Sequence, residues 1–272
     1  MEQGLRFAAI DIGSNAMRLL FTRVIVKENK PPYFIKESLI RMPLRLGHDA
    51  FTSGNISDKN CDCFVSTIVG FKNLIDAYSP LRYRACATAA MRNATNGSNL
   101  VKRAEKASGI NLDIISGQEE AAMILSKNIN QYLKTKKNYI HIDVGGGSTE
   151  LTIISEGMKI ASKSFSIGSV RLLENKVQES YWEVIHDWIR KKTESFDSIK
   201  AIGSGGNINK IASMLGKYKG KSVHYNDIKD IIKKISAKNI EERITSLGLR
   251  PDRADVIIHA SKIYLKCMKW SG

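Results

Sequence analysis

Two stretches carry residues whose types and spacing could do chemistry. Residues 140–155 read IHIDVGGGSTELTIIS and residues 8–24 read AAIDIGSNAMRLLFTRV. Each sets an aspartate, Asp143 or Asp11, inside an apolar run and follows it with a glycine turn and a second apolar run. An ionised carboxylate in apolar surroundings is costly unless it is paired or bound to a metal. Glycine weakens a strand interior, because it packs nothing and loses much backbone freedom on folding. In a turn the same residue lets successive N–H groups point outward and form an anion-binding concavity. Gly13, Ser14 and Asn15 make one candidate cradle, and Gly145, Gly146, Gly147 and Ser148 a second. A third, Gly203-Ser204-Gly205-Gly206, opens the helical stretch INKIASML, whose N-terminal dipole also favours an anion. Any one of these taken alone could be an ordinary tight turn.

The acids nearby extend the pattern. Mg2+ takes oxygen ligands and usually sits between one or two carboxylates and substrate phosphates. Asp11 and Asp143 beside two phosphate cradles meet that description, and Glu150 is a third carboxylate close to the second turn. Alternation alone would make Glu150 a half-exposed strand residue. Hydrolysis also needs a group that orients or deprotonates water. ISGQEEAAM offers Glu119 and Glu120 in the first turn of a helix, a place where acids also belong for dipole reasons. ATAAMRN puts Arg92 after a strand end, where a guanidinium could contact phosphate and stabilise charge on a transferring phosphoryl group, or could be a surface arginine.

These residues need a frame. The two Asp-Gly stretches read as β-hairpins about half a chain apart, each opening a run of alternating strands and helices, which indicates an α/β fold of two related domains. A boundary is expected at 128/129, near the basic KTKKN stretch. Residues 60–79 predict a helix, with Ile68, Phe71, Leu74 and Ile75 at helical spacing. Residues 98–109 predict a helix capped by Ser98 and closed by Gly109. Residues 83–88 and 111–116 read as strands, 117–133 as a helix, 179–193 as a helix and 198–206 as a strand running into a glycine turn. Helices follow at 208–215, at 226–236 with Asn226 as N-cap, at 237–248 and at 253–270.

Composition bounds the function classes. The chain has 272 residues, a 43% apolar fraction and a formal charge of +15, with 42 Lys and Arg against 27 Asp and Glu. Such a field attracts polyanions: nucleic acid, phosphate-rich metabolites or anionic membrane surfaces. Zinc-finger spacing, an RNA-recognition aromatic signature and long basic runs are absent, so no specific nucleic-acid partner is expected. No apolar run approaches the length of a membrane span, and the N-terminus reads as no signal peptide. Four cysteines give neither a disulfide framework nor a zinc ligand set, and a cytoplasmic location with reduced thiols is expected.

The motifs together resemble the exopolyphosphatase / guanosine pentaphosphate phosphatase (Ppx/GppA) family of the actin-like ATPase superfamily. The resemblance runs through AIDIGSNAMRLL, RLGHDAFTSGNIS, ATAAMRNATN, ISGQEEA, HIDVGGGSTEL, SFSIGSVRLLE, AIGSGGNINKIA and LGLRPDRADVI, in family order. The glycine loops indicate only the superfamily, whereas ISGQEEA and ATAAMRNATN are more specific to the phosphatases. The resemblance implies two actin-like (ribonuclease H-like) domains, 1–128 and 129–272, with a cleft between them. It implies Glu119 as the catalytic base acting on water, with Asp143 and Glu150 serving metal and water. It implies Arg92 as a phosphate contact and the Asp11–Asn15 and Gly145–Ser148 segments as the two phosphate loops. The cofactor implied is Mg2+, and the substrates are inorganic polyphosphate or guanosine pentaphosphate, in a homodimer without membrane attachment. Glu120 and Arg171 match family positions without an assigned role.

Three departures stand out. Ser204 and Asn207 replace threonines, and His259-Ala260 replaces a Pro-Gly, so the last helix is expected to run on unbroken. The family also continues beyond the position of KCMKWSG, so a truncated or minimal member is expected. A small-molecule kinase of the same superfamily and a non-catalytic sensor of polyphosphate or guanosine pentaphosphate are the alternatives.

Overall fold

The structure, a computed structural model, describes residues 4–126, 137–217 and 221–272. Two compact units divide the chain, Met1–Ser116 and Gly117–Gly272. In the first, β1 (Leu5–Ile12), β2 (Met17–Lys27) and β3 (Lys30–Met42) form an antiparallel meander. Then come α1 (Leu46–Thr52), α2 (Asp58–Tyr78), β4 (Arg82–Ala87), α3 (Ala89–Asn93), α4 (Gly97–Ser108) and β5 (Asp113–Ile114). The sheet order is β3-β2-β1-β4-β5, with β4 parallel to β1 and β5 parallel to β4. Alternation sets the faces: Ala8, Ile10 and Ile12 of β1 are buried, and Asp11 looks the other way. In α2 the buried stripe is Phe64, Ile68, Phe71 and Ile75, while Leu74, expected on that stripe, is exposed.

The second unit repeats the plan. After α5 (Gly117–Ser126), β6 (Asn138–Val144), β7 (Thr149–Ser155) and β8 (Met158–Phe165) again form an antiparallel meander. The next elements are α6 (Ser169–Leu173), α7 (Tyr181–Thr193), β9 (Ile199–Ser204), α8 (Gly206–Met214), α9 (Tyr225–Ser236), α10 (Ile240–Thr245), α11 (Pro251–Ala254) and α12 (Ile257–Ser271). The sheet order is β8-β7-β6-β9, with β9 parallel to β6. One sheet face is a core of Ile140, Ile142, Val144, Leu151, Ile153 and Phe165, covered by Trp182, Ile185 and Ile189 of α7 and Ile263, Tyr264 and Cys267 of α12. Burying each large apolar side chain there contributes about 1.5–3 kcal/mol, which fixes the sheet that carries the polar residues of the opposite face.

Several expectations change. The expected boundary at 128/129 lies outside the described residues; among these, the division falls ahead of α5, because α5 packs on β7 and β8 of the second sheet. Asn96, not Ser98, precedes α4, and its side chain clasps the backbone of Ile56, accepting from N (2.9 Å) and donating to O (2.8 Å). His224, not Asn226, precedes α9. The 253–270 stretch breaks into α11 and α12 around Asp255 and Val256, although α12 does run unbroken through His259 and Ala260. The strand expected at 111–116 shrinks to two residues. β3 and β8 were not expected, because both are edge strands with largely exposed, charged sequences and little apolar alternation. No helix among the described residues is long and apolar enough to cross a membrane, and all four cysteines are free thiols.

Candidate active site

The site begins with the β6–β7 turn. Val144 pairs with Thr149, so Gly145 to Ser148 are the turn, closed by Gly145 N donating to Ser148 O at 2.9 Å. The other turn carbonyls are held from one side by the segment that leads into α6. Gly145 O accepts from Ser169 N (3.0 Å) and Ser169 Oγ (3.2 Å), and Gly146 O from Val170 N (2.8 Å) and Arg171 N (3.2 Å). Gly147 O accepts from Arg171 Nε at 2.7 Å. A Cβ on Gly168 would stand 2.4 Å from Gly146 O, so only glycine allows this approach. Among the described residues the amides of Gly146, Gly147 and Ser148 meet no protein acceptor. With its carbonyls engaged and its amides turned away from protein acceptors, the turn has the form that an anion-binding concavity requires.

Directly behind it a polar row crosses the sheet. Register places Ser164, Glu150, Asp143 and Ser204 side by side on β8, β7, β6 and β9. Asp143 and Glu150 face each other across the strand pair, an arrangement that like charges disfavour unless a cation or hydrogen bonds compensate. Glu150 is buried, 2% exposed, where alternation alone would leave it half-exposed. Ser164 Oγ donates to Glu150 Oε1 at 2.8 Å. Ser204 Oγ is buried and meets no hydrogen-bond partner among the described residues. Gly205, at φ 105°, completes the row: a Cβ there would come 3.0 Å from Asp143 Oδ1. Gly205 precedes α8, and Gly206 is its first residue.

Tyr264 supports this arrangement. The Tyr264 hydroxyl donates to Ser204 O and accepts from Val144 N at 3.3 Å, tying the ends of β6 and β9 together. Burial first, then the charge of Asp143, hold the phenol protonated far above its ordinary range, so it stays a donor. Burial pushes the His141 imidazole down to about 4, so it is neutral near pH 7.

α5 covers the same face of this sheet. Between α5 and β8 lies a cavity of about 280 Å3, lined among others by Gln118, Ala121, Ala122, Ser162 and Ser164. Glu119 is exposed and Glu120 half-buried in the first turn of α5.

The first unit holds the remaining residues. Gly13 N donates to Ala16 O at 3.1 Å, Gly47 N to Ser14 O at 2.8 Å, and Arg45 Nε to Asn15 Oδ1 at 3.0 Å. Asp11 is paired with Arg18 at 2.9 Å, and both side chains are about half-exposed. Arg92, exposed on α3, donates through Nη1 to Ile115 O at 2.5 Å. Of the expected metal ligands, Asp143 and Glu150 are neighbours in one sheet, whereas Asp11 belongs to the other sheet and has Arg18 beside it. Among the described residues, no group of three or more His, Cys, Asp or Glu is gathered to hold a metal. Two hard carboxylates with an orphaned serine hydroxyl in the same row nonetheless fit Mg2+, which commonly takes one or two protein carboxylates and keeps water or phosphate for the rest.

Comparison with known proteins now adds to the geometry. The family model of the Ppx/GppA phosphatase family matches residues 35–270. The chain belongs to that family. It is 28% identical, over 97% of its length, to a bifunctional 3-dehydroquinate synthase/phosphatase of Fusobacterium nucleatum, of which it spans 43%. It is 24% identical to exopolyphosphatase 1 of Mycobacterium tuberculosis, with 93% of this chain and 78% of that protein covered. Among solved structures, an exopolyphosphatase from Cytophaga hutchinsonii matches at TM-score 0.78 and 22% identity, covering 97% of this chain and 90% of that one. The type II variant of the Aquifex aeolicus Ppx/GppA phosphatase matches at TM-score 0.69 and 26% identity, covering 98% and 92%. The fold is thus the two-unit, actin-like α/β fold of Ppx/GppA structures.

Within this Ppx/GppA protein, sequence reasoning missed Ser164 and Tyr264 and left Arg171 without a role. Arg171 holds the loop through its bond to Gly147 O. Ser164 lies on an unpredicted edge strand, and Tyr264 is one residue of the apolar face of α12, which the sequence pattern gives no reason to single out; only its hydroxyl contacts reveal it.

Proposed function

We propose that the chain is a phosphohydrolase that releases terminal phosphate from inorganic polyphosphate, guanosine pentaphosphate or both. The observation that carries this reading is the Asp143–Glu150 pair, with Glu150 buried, set directly behind a glycine turn whose carbonyls are held and whose amides meet no protein acceptor. The exopolyphosphatases among the relatives supply the substrate class, and the charge of +15 favours a polyanion.

In this reading the amides of Gly146, Gly147 and Ser148, with the start of α8 at Gly206, take the charge of phosphate oxygens. Glu119 orients the attacking water and accepts its proton as the oxygen bonds to the terminal phosphorus. The anhydride P–O bond breaks, inorganic phosphate leaves, and the shortened chain carries away the bridging oxygen. Arg92 has the role the resemblance gives it, contact with a phosphate oxygen. Asp143 and Glu150 would hold Mg2+, whose contribution when bound is neutralisation of phosphate charge. Such catalysis is mostly positioning and electrostatic stabilisation.

The test is phosphate release from polyphosphates of defined length and from guanosine pentaphosphate, with Mg2+, for wild type and Glu119→Gln. Loss of a positioned base is expected to lower turnover by about 10²–10⁴-fold. Equal rates would remove Glu119 from this role, and turnover by neither protein would remove the activity.

A further inference from the structure

We infer that Ser164 is a positioning residue for Glu150, setting the carboxylate in the orientation that binds a divalent cation; this rests on the proposed role of Glu150. Ser164 sits on β8, opposite Glu150 on β7, and its hydroxyl donates to Oε1 at 2.8 Å. A glutamate side chain has three rotatable bonds, and a buried one that must meet a cation loses affinity if it samples several rotamers. A hydroxyl donor fixed to the neighbouring strand removes that freedom, as the outer hydrogen-bond partners of metal-bound carboxylates do in general.

The same strand supplies a built-in comparison. Two residues away on the same face, Ser162 Oγ lies 2.9 Å from Thr152 Oγ, again across the β7–β8 pair. The two serines share strand, face and chemistry, and differ in that one touches a carboxylate. The cavity of about 280 Å3 bordering Ser164 leaves room for one more methyl group, so threonine or valine can replace it. Those two residues are nearly isosteric, suit a strand equally well and differ in the hydroxyl.

The experiment is titration of the intact protein with Mn2+, read by the paramagnetic signal of the free ion, with thermal melting as the check on folding. Ser164→Ala and Ser164→Val are expected to weaken Mn2+ binding by about 10- to 100-fold, and Ser164→Thr to restore it. Ser162→Ala is expected to bind as wild type does. Wild-type affinity in Ser164→Val would overturn the inference, as would equal weakening in Ser162→Ala, which would mark a general effect on the edge strand. Glu150→Gln separates the two levels: if it binds Mn2+ as wild type does, or if wild type binds none, the reading of Glu150 as a ligand fails and takes this inference with it. If Glu150→Gln loses binding while Ser164→Val keeps it, only the inference fails.

Discussion

The two hairpins of this chain share a backbone and differ in one partner. Each places an aspartate two residues before a glycine, closes a four-residue turn with a bond from that glycine, and pairs the aspartate with the residue opposite on the second strand. For Asp11 that residue is Arg18, and the pair is neutralised at 2.9 Å near the surface. For Asp143 it is Glu150, buried, with Ser164 holding one oxygen. One frame therefore carries a self-paired acid in the first unit and a pair of acids in the second. Two acids behind the Gly145–Ser148 turn suit the proposed site, where a divalent cation would answer both the acids and a phosphate. The difference also shows why the echo in sequence is not an echo in chemistry: it lies in position 18 against 150, seven residues beyond each aspartate.

Between the two hairpins, the largest expected effect is at the acid pair itself. Glu150→Gln should lower phosphate release by about 10²–10³-fold, the scale of losing one preorganised electrostatic group. In divalent-free buffer the same variant should melt no lower than wild type, because it removes a like-charge pair. A lower melting point would mean that the pair is structural.

Gly205→Ala comes next. Its Cβ would press on Asp143 Oδ1 at 3.0 Å, and φ 105° is a region that L-residues rarely adopt. About 1–3 kcal/mol of lost stability is expected from denaturant melts, together with weaker turnover.

The smallest effect is expected at the other hairpin. Arg18→Ala breaks a half-exposed ion pair and should change stability by about 0–1 kcal/mol, less still at high salt. A larger loss would mean that Asp11 is as dependent on its partner as Asp143 is on its row.

Much of this was legible in the sequence, and the omissions have physical causes. The hairpins, the glycine turns and the α/β alternation follow from apolar periodicity and turn chemistry, which are local. Asp143 and Glu150 stood out because acids interrupt or follow apolar runs. Their mutual facing did not, because strand register is set by the turn geometry and by packing. Ser164 stands first in SFSIGSVRLLE but was not singled out, because β8 is an edge strand without alternation, and Tyr264 was missed because its value lies in the hydroxyl contacts with Val144 and Ser204, residues far away in sequence. Helix ends were misplaced at Ser98 and Asn226, where polar residues that favour caps sit one or more positions inside the helix.

The central claim is that Asp143 and Glu150 act as one unit. The most direct measurement is a double-mutant cycle of Mg2+-dependent phosphate release with Asp143→Asn, Glu150→Gln and the double variant. If the two carboxylates hold one cation, the double variant should lose little more than the worse single variant, since effects within a unit are strongly non-additive. Losses that multiply would show two independent roles and contradict the account.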